Sequence, residues 1–226
     1  MNYQEIRAYW NSVFAHAQPF DPSQPLTHKE IENGLHWLVR GAPAVLDFGC
    51  GSGRALLRCL VLGAERGVGI DLSRRGIELA RTTARISDLA RYVRFIHGNV
   101  EALEEFSDTT FGAGILFNIL DHLLPEDAYL VADNFRRLVA PRGRLLVRLS
   151  PYLTAEELSG NGGLQRIETD LYRQPSGLYL RNITDDALAE LLPGFALTRK
   201  LDLHTETAGA SGRLFYFERQ DSPGEE

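Results

Sequence analysis

Between Val45 and Arg54 the chain reads VLDFGCGSGR, an apolar run that passes directly into three glycines and then into helix-forming residues. Gly49, Gly51 and Gly53 permit a tight turn and a close approach of backbone to a ligand. A helix beginning at about Gly53 would offer unpaired N–H groups and a partial positive charge to an anion. Asp71 closes a second apolar run, GVGID, 22 positions beyond Gly49. In nucleotide-binding α/β folds an acid at about that offset takes the ribose hydroxyls. The plainer reading of Asp71 is a cap for a helix starting near Ser73.

The flanking sequence predicts parallel strands joined by helices. Short apolar runs at 44–48, 67–70, 92–97, 111–117 and 143–149 alternate with helical patterns at 53–63, 73–86 and 125–139. That alternation reads as βαβ units, with strands apolar enough to be covered on both faces. Upstream, Tyr3, Ile6, Tyr9, Trp10, Val13 and Phe14 recur at helical spacing over 2–17. Pro19, Pro22 and Pro25 then forbid a regular element. Thr27 followed by Glu30 reads as a capping box for a helix reaching Arg40. After Pro151 the alternation stops. Residues 151–182 are polar, carry Gly160, Gly162 and Gly163, and give no regular pattern. A helix over 184–192 and strands at 195–203 and 213–219 follow.

Composition narrows the function. The net charge of −6 gives no global attraction to nucleic acid or anionic lipid. Cys50 and Cys59 sit in no CxxC or Cys/His cluster, so no zinc site is expected and both read as reduced thiols. MNYQEIRAYW lacks the basic and apolar regions of a signal peptide, and no apolar stretch approaches the ~18 residues of a membrane span. The expectation is a cytoplasmic protein with no membrane partner.

The loop itself discriminates among nucleotides. Counting from Gly49, the third glycine of a GxGxxG dinucleotide fingerprint would fall on Arg54, whose side chain would crowd helix against strand. A phosphate-binding P-loop needs Lys-Ser/Thr after its glycines, and none is present. The spacing is instead D-x-G-x-G-x-G, led by Asp47.

DFGCGSG followed by GVGID resembles the first two motifs of class I S-adenosylmethionine-dependent methyltransferases. HGNVEAL (97–103), FGAGILFNILDHL (111–123) and RRLVAPRGRLLVRL (136–149) resemble the later motifs, in the family's order. Where the family usually has an acid after the third strand, this chain has Asn99, whose carbonyl can still accept from the adenine amino group.

The resemblance implies a three-layer α/β sandwich around a mostly parallel, roughly seven-stranded Rossmann-like sheet with an antiparallel closing strand, plus N-terminal helices and a small cap after strand five. It implies one domain over 1–220, made of an N-terminal helical cap (1–42), a cofactor-binding core (43–150), an acceptor-side cap (151–182) and a closing helix and strands (183–220), with a flexible tail at 221–226. It also implies roles. Gly49, Cys50, Gly51 and Gly53 would bring backbone to the methionine part of S-adenosyl-L-methionine. Asp47 would hold its ammonium, Asp71 the ribose, Leu72 the adenine face, and Asn99 and Val100 the adenine edge. Phe117 and Asn118 would floor the methionine arm. Cys50 reads as a small packing residue, since no base stands beside it.

His122, just past the fourth strand, is the candidate base. His204, Tyr152, Tyr172 and Tyr179 are alternatives. Tyr9, Trp10, Tyr152, Tyr172, Tyr179 and Arg181 are candidates for the acceptor cap, where aromatics interleaved with arginine suit an anionic or aromatic small molecule. The expected function is in-line methyl transfer to a small-molecule acceptor, releasing S-adenosyl-L-homocysteine. A nucleic-acid or protein methyltransferase, or a non-catalytic S-adenosylmethionine-binding protein, is the alternative.

Overall fold

The computed structural model describes residues 3–204 and 211–221. In chain order the elements are α1 (Gln4–Ala15), α2 (Lys29–Leu38), β1 (Ala44–Phe48), α3 (Arg54–Val61), β2 (Arg66–Asp71), α4 (Arg74–Ile86), β3 (Val93–His97), a 3-10 turn (Val100–Glu105), β4 (Phe111–Phe117), α5 (Pro125–Leu138) and β5 (Val139–Leu149). They continue with α6 (Ala155–Gly160), β6 (Gln165–Glu168), β7 (Leu171–Arg173), β8 (Tyr179–Arg181), α7 (Asp185–Leu191), β9 (Phe195–Leu203) and β10 (Gly212–Arg219).

The main sheet has seven strands in the order β3-β2-β1-β4-β5-β10-β9. Strands β3 through β5 run parallel, and β10 is antiparallel to both β5 and β9. The expected Rossmann-like sheet with one antiparallel closing strand is thus present. All five residues of β1 are buried, as the middle of a sheet covered on both faces requires. One face packs Phe135, Leu138, Leu188 and Phe215 with the helices α5 and α7. The other packs Leu35, Leu38, Leu56, Ile77 and Leu146 with α2, α3 and α4. The chain leaves β1 for β2 on one side and returns through β4 on the other. The crevice outside the carboxyl ends of β1 and β4 is therefore the topological switch point, where open α/β sheets bind ligands.

Several expectations need correction. Thr27 and Glu30 do not form a capping box: α2 starts one residue later, with His28 at the N-cap and no side-chain cap. A capping box occurs instead at Thr154 and Glu157, opening α6. The α2 helix packs on the sheet as part of a core layer and is joined to α3 by a buried pair. Glu32 accepts from Arg58 Nε at 2.9 Å and Nη2 at 2.6 Å, and Arg58 Nη1 also donates to the Ser23 carbonyl at 2.7 Å. That guanidinium holds the proline-rich segment before α2 in place. The segment 151–182, without a legible pattern, contains α6 and a separate three-stranded antiparallel sheet, β6-β7-β8. Strand β5 starts at Val139, four residues before the predicted run. In the expected tail, Asp221 pairs with Arg142 at 3.1 Å; the rest, 222–226, lies outside the described residues.

Candidate functional site

The glycine loop leaves β1 with positive φ at Gly49 (77°), Gly51 (52°) and Gly53 (79°), a region that L side chains with a Cβ rarely enter. At Gly49 and Gly51 the reason is close approach. A Cβ on Gly49 would lie 2.0 Å from Ile119 Cδ1, and one on Gly51 would lie 2.9 Å from the Phe14 ring. Gly53 serves packing: its Cβ would meet the Phe95 ring at 2.8 Å.

Asp71 ties this loop to the next helix. Its Oδ2 accepts from the Gly51 amide at 2.7 Å, and its Oδ1 accepts from the Ser73 amide at 2.7 Å. Asp71 thus braces the start of α4, whose side-chain N-cap is Ser73, and it also lines the cavity. Burial pushes its carboxyl up, and the bonds from Ser73 and Gly51 oppose that. Asp47 lies beneath the loop, 3% exposed. Burial first, and then the Asp71 charge, push its carboxyl up to about 8.

These groups open on a cavity of about 160 Å³ lined by Gly49, Gly51, Asp71, Leu72, Asn99, Phe117, Asn118 and His122. Asn118 has φ 55°, a conformation Asn tolerates better than most residues. The turn there carries the chain sharply out of β4, laying Ile119 over Gly49 and bringing His122 to the wall. His122 Nδ1–H donates to the Tyr179 carbonyl at 2.7 Å. That bond leaves Nε2 of the neutral ring with its lone pair. Nε2 lies 4.0 Å from Asp121 Oδ2, whose other oxygen, Oδ1, is buried without a hydrogen-bond partner.

Helix α1 forms the roof. Tyr3, Ile6, Trp10 and Phe14 line the cavity from above. Asn11 Oδ1 fastens the helix to α4 by accepting from Ser73 Oγ at 3.0 Å and from the Arg75 amide at 3.1 Å. Tyr3 donates to Asp127, and Glu5 pairs with Arg173 of the cap sheet.

The remaining named residues lie elsewhere. Asp47, Cys50, Gly53 and Val100 do not line the cavity. Cys50 is buried, and burial and then the Asp47 and Asp71 charges push its thiol up. Of the cap candidates only Trp10 reaches the wall. Tyr9 faces an open cleft between α1 and the cap sheet. Tyr152 and His204 face another at the ends of β9 and β10. Tyr179 contributes through its carbonyl, Arg181 Nη1 reaches the Leu120 carbonyl at 3.5 Å, and Tyr172 pairs within the cap sheet opposite Arg166. Both open clefts are larger than the cavity, about 650 and 530 Å³, yet neither touches the glycine loop. Ile6, Phe14, Ile119 and Leu123 were not named as site residues. The spacing of Ile6, Trp10 and Phe14 on one helix face carried a signal; Ile119 and Leu123 carried none. Among the described residues no group of three or more His, Cys, Asp or Glu is placed to hold a metal ion. No helix among them is long and apolar enough to cross a membrane.

A glycine loop braced to an acid thus stands at the switch point of a Rossmann-like sheet closed by one antiparallel strand. Residues 45–143, somewhat less than half of the chain, match the family described as a methyltransferase domain. A ribosomal protein L11 methyltransferase of Gloeobacter violaceus is 33% identical over 121 residues, covering 51% of this chain and 35% of that protein. The chain spans only about a third of the length of the curated relatives it matches. Among solved structures, the 1,6-didemethyltoxoflavin-N1-methyltransferase of Burkholderia thailandensis aligns with a TM-score of 0.67 at 21% identity, covering 98% of this chain and 92% of that one. The geranyl diphosphate C-methyltransferase of Streptomyces coelicolor aligns with a TM-score of 0.69 at 13% identity, covering 97% and 98%. Both structures hold S-adenosylhomocysteine, and at these identities the likeness is one of fold. The cofactor of such a domain is S-adenosyl-L-methionine.

Proposed function

We propose that the chain catalyses methyl transfer from S-adenosyl-L-methionine to a small molecule. The observation that carries this is the 2.7 Å bond between the Gly51 amide and Asp71, which fixes the glycine cradle and the ribose acid on the same cavity as His122. The cradle fits the group: a side chain at Gly49 or Gly51 would fill the space that a ligand approaching the backbone needs.

The roles follow the chemistry of each residue. Gly49 and Gly51 admit the methionine arm against the backbone. Asp47 holds its ammonium, directly or through water. Asp71 takes the ribose hydroxyls with the lone pairs left over from Gly51 and Ser73. Leu72 packs on the adenine, Asn99 and Val100 take its edge, and Phe117 and Asn118 floor the methionine arm. When bound, the sulfonium supplies an electrophilic methyl. The chain then has to align an acceptor lone pair about 3 Å from that carbon and exclude water. His122 Nε2 takes the acceptor proton, with the Tyr179 carbonyl fixing the tautomer that makes Nε2 basic.

A small acceptor is favoured over a protein by the roof. Tyr3, Ile6, Trp10 and Phe14 cover the cavity with one face of α1, which leaves little room for a polypeptide. The test is to incubate the chain and methyl-labelled cofactor with a small-molecule extract and with protein and nucleic-acid fractions, using Asp71→Ala as the control. Label entering only the low-mass fraction supports the reading; label entering only protein or nucleic acid contradicts it.

A further inference from the structure

The wall that would face an acceptor carries no fixed positive charge. It is made of Tyr3, Ile6, Trp10, Phe14, Leu123 and His122, and no lysine or arginine is among the cavity's lining residues. The Tyr3 hydroxyl donates to Asp127 of α5, and burial and that bond push its ionisation upward, so it offers neither a base nor a spare donor. Asp71 is the one acidic residue in the lining, and it stands at the glycine loop.

The arginines of the cap, which in the sequence suggest an anion site, are engaged elsewhere. Arg173 pairs with Glu5. Arg166 Nε donates to the Glu168 carbonyl at 3.3 Å. Arg181 reaches the Leu120 carbonyl, and none of the three lines the cavity. A carboxylate or phosphate on the acceptor would lose its water here without gaining a cationic partner. The effective penalty is several kcal/mol per ion.

An uncharged ring meets the opposite situation. Trp10 and Phe14 lie with ring centroids 6.1 Å apart and planes 26° from parallel, giving one continuous aromatic surface. A flat neutral molecule laid on it buries apolar area at about 25 cal/mol per Å² and stacks at a favourable offset. His122, with Nδ1 held by the Tyr179 carbonyl, lines the same cavity and has Nε2 free to accept.

Resting on the methyltransferase reading above, we propose that the acceptor is an uncharged aromatic molecule that lies against Trp10 and presents one O–H or N–H to His122. In the transfer, the acceptor oxygen or nitrogen forms the new bond to the methyl carbon. The S–C bond breaks with its electron pair left on sulfur, giving the neutral thioether. The acceptor proton passes to His122 Nε2, to be lost to water after release.

The test needs no knowledge of the natural acceptor. The full chain is first titrated with S-adenosylhomocysteine by calorimetry, then, once saturated, with 2-naphthol and separately with 2-naphthoate at pH 7. The two probes share a ring system and differ in charge. The expected result is that 2-naphthol binds at least about tenfold more tightly than 2-naphthoate, ~1.4 kcal/mol. Trp10→Ala should weaken 2-naphthol about tenfold, and by a larger factor than it weakens S-adenosylhomocysteine. Equal or tighter binding of 2-naphthoate, no binding of 2-naphthol, or a Trp10→Ala variant that binds 2-naphthol as before overturns the proposal. Failure to bind S-adenosylhomocysteine at the first step overturns the methyltransferase reading itself, and this proposal with it.

Discussion

The carboxylate of Asp71 and the amide of Gly51 lie 2.7 Å apart, so Asp71 and the glycine loop behave as one unit. Removing the acid removes a ligand group and a brace together. Asp71→Ala should weaken S-adenosylhomocysteine roughly 10- to 150-fold, from losing ~1.5–3 kcal/mol of charge-assisted bonding. It should also lower folding stability by about 1–3 kcal/mol, because the Gly51 and Ser73 amides lose their acceptor. Asp71→Asn keeps one acceptor oxygen and should fall between. Calorimetry and thermal melts on the three proteins check this; a variant with wild-type affinity would show that Asp71 only braces.

Asp47, the proposed partner of the ligand ammonium, should make binding pH-dependent. Its carboxyl is pushed up to about 8, so it is largely protonated at neutral pH. A ligand ammonium brought beside it favours the carboxylate, so binding releases a proton. Affinity for S-adenosylhomocysteine should therefore rise as the pH climbs towards 8, and the measured heat should change with the buffer's ionisation enthalpy. Folding runs the other way. With its folded value above the ordinary aspartate value of 3.8, this group favours the fold most at acid pH and progressively less up to about 8. Asp47→Asn should remove both dependences; a pH-independent wild type would contradict the assignment.

Glu32 predicts a purely structural defect. Glu32→Ala strands the buried guanidinium of Arg58, which is 7% exposed, at a cost of about 3–5 kcal/mol. At ~2–4 °C per kcal/mol for a chain of this size, the melting temperature should drop by roughly 6–20 °C. Affinity for S-adenosylhomocysteine, measured well below the melt, should not change. A large loss of affinity there would link α2 to the site.

His122 separates chemistry from binding. His122→Ala should leave cofactor affinity nearly unchanged, since the glycine loop, Asp71 and Asn99 are untouched. It should lower the single-turnover rate by about 10²–10⁴ if the acceptor must lose a proton. An acceptor that is already a neutral amine with a free lone pair would show a much smaller loss. A variant that loses cofactor binding and thermal stability together would make the Tyr179 bond a structural rivet and remove His122 from the chemistry.

The parallel core was legible because its signals are local and redundant. Each strand from β1 to β5 announces itself as a short apolar run, and Ser73, Pro125 and Thr184 mark helix starts. The glycine loop and Asp71 were legible through their spacing. Three things were not. The β6-β7-β8 sheet has an outer strand, Gln165–Glu168, exposed at every residue, so it shows no inward-facing alternation. The capping box at Thr27 was a false signal: α2 is held by Glu32 and Arg58, and no local motif reveals a pair 26 residues apart in sequence. The roof needed tertiary contacts. Which of Tyr3, Tyr9, Trp10 and Phe14 face the cavity depends on how Asn11 docks α1 on α4, so Tyr9 turns outward while Trp10 turns in.

The central claim is that the braced glycine loop binds the cofactor, and titration calorimetry with S-adenosylhomocysteine tests it most directly. The cavity of about 160 Å³ is smaller than the ~300–1,000 Å³ of small-molecule sites, so Ile119, which lies over Gly49, must give way. Ile119→Ala should therefore speed association. The wild type should bind one equivalent, in competition with S-adenosylmethionine, and the heat should shrink sharply in Asp71→Ala. No heat and no thermal shift with either compound up to ~1 mM, where binding would be worth only about 4 kcal/mol, would contradict the account.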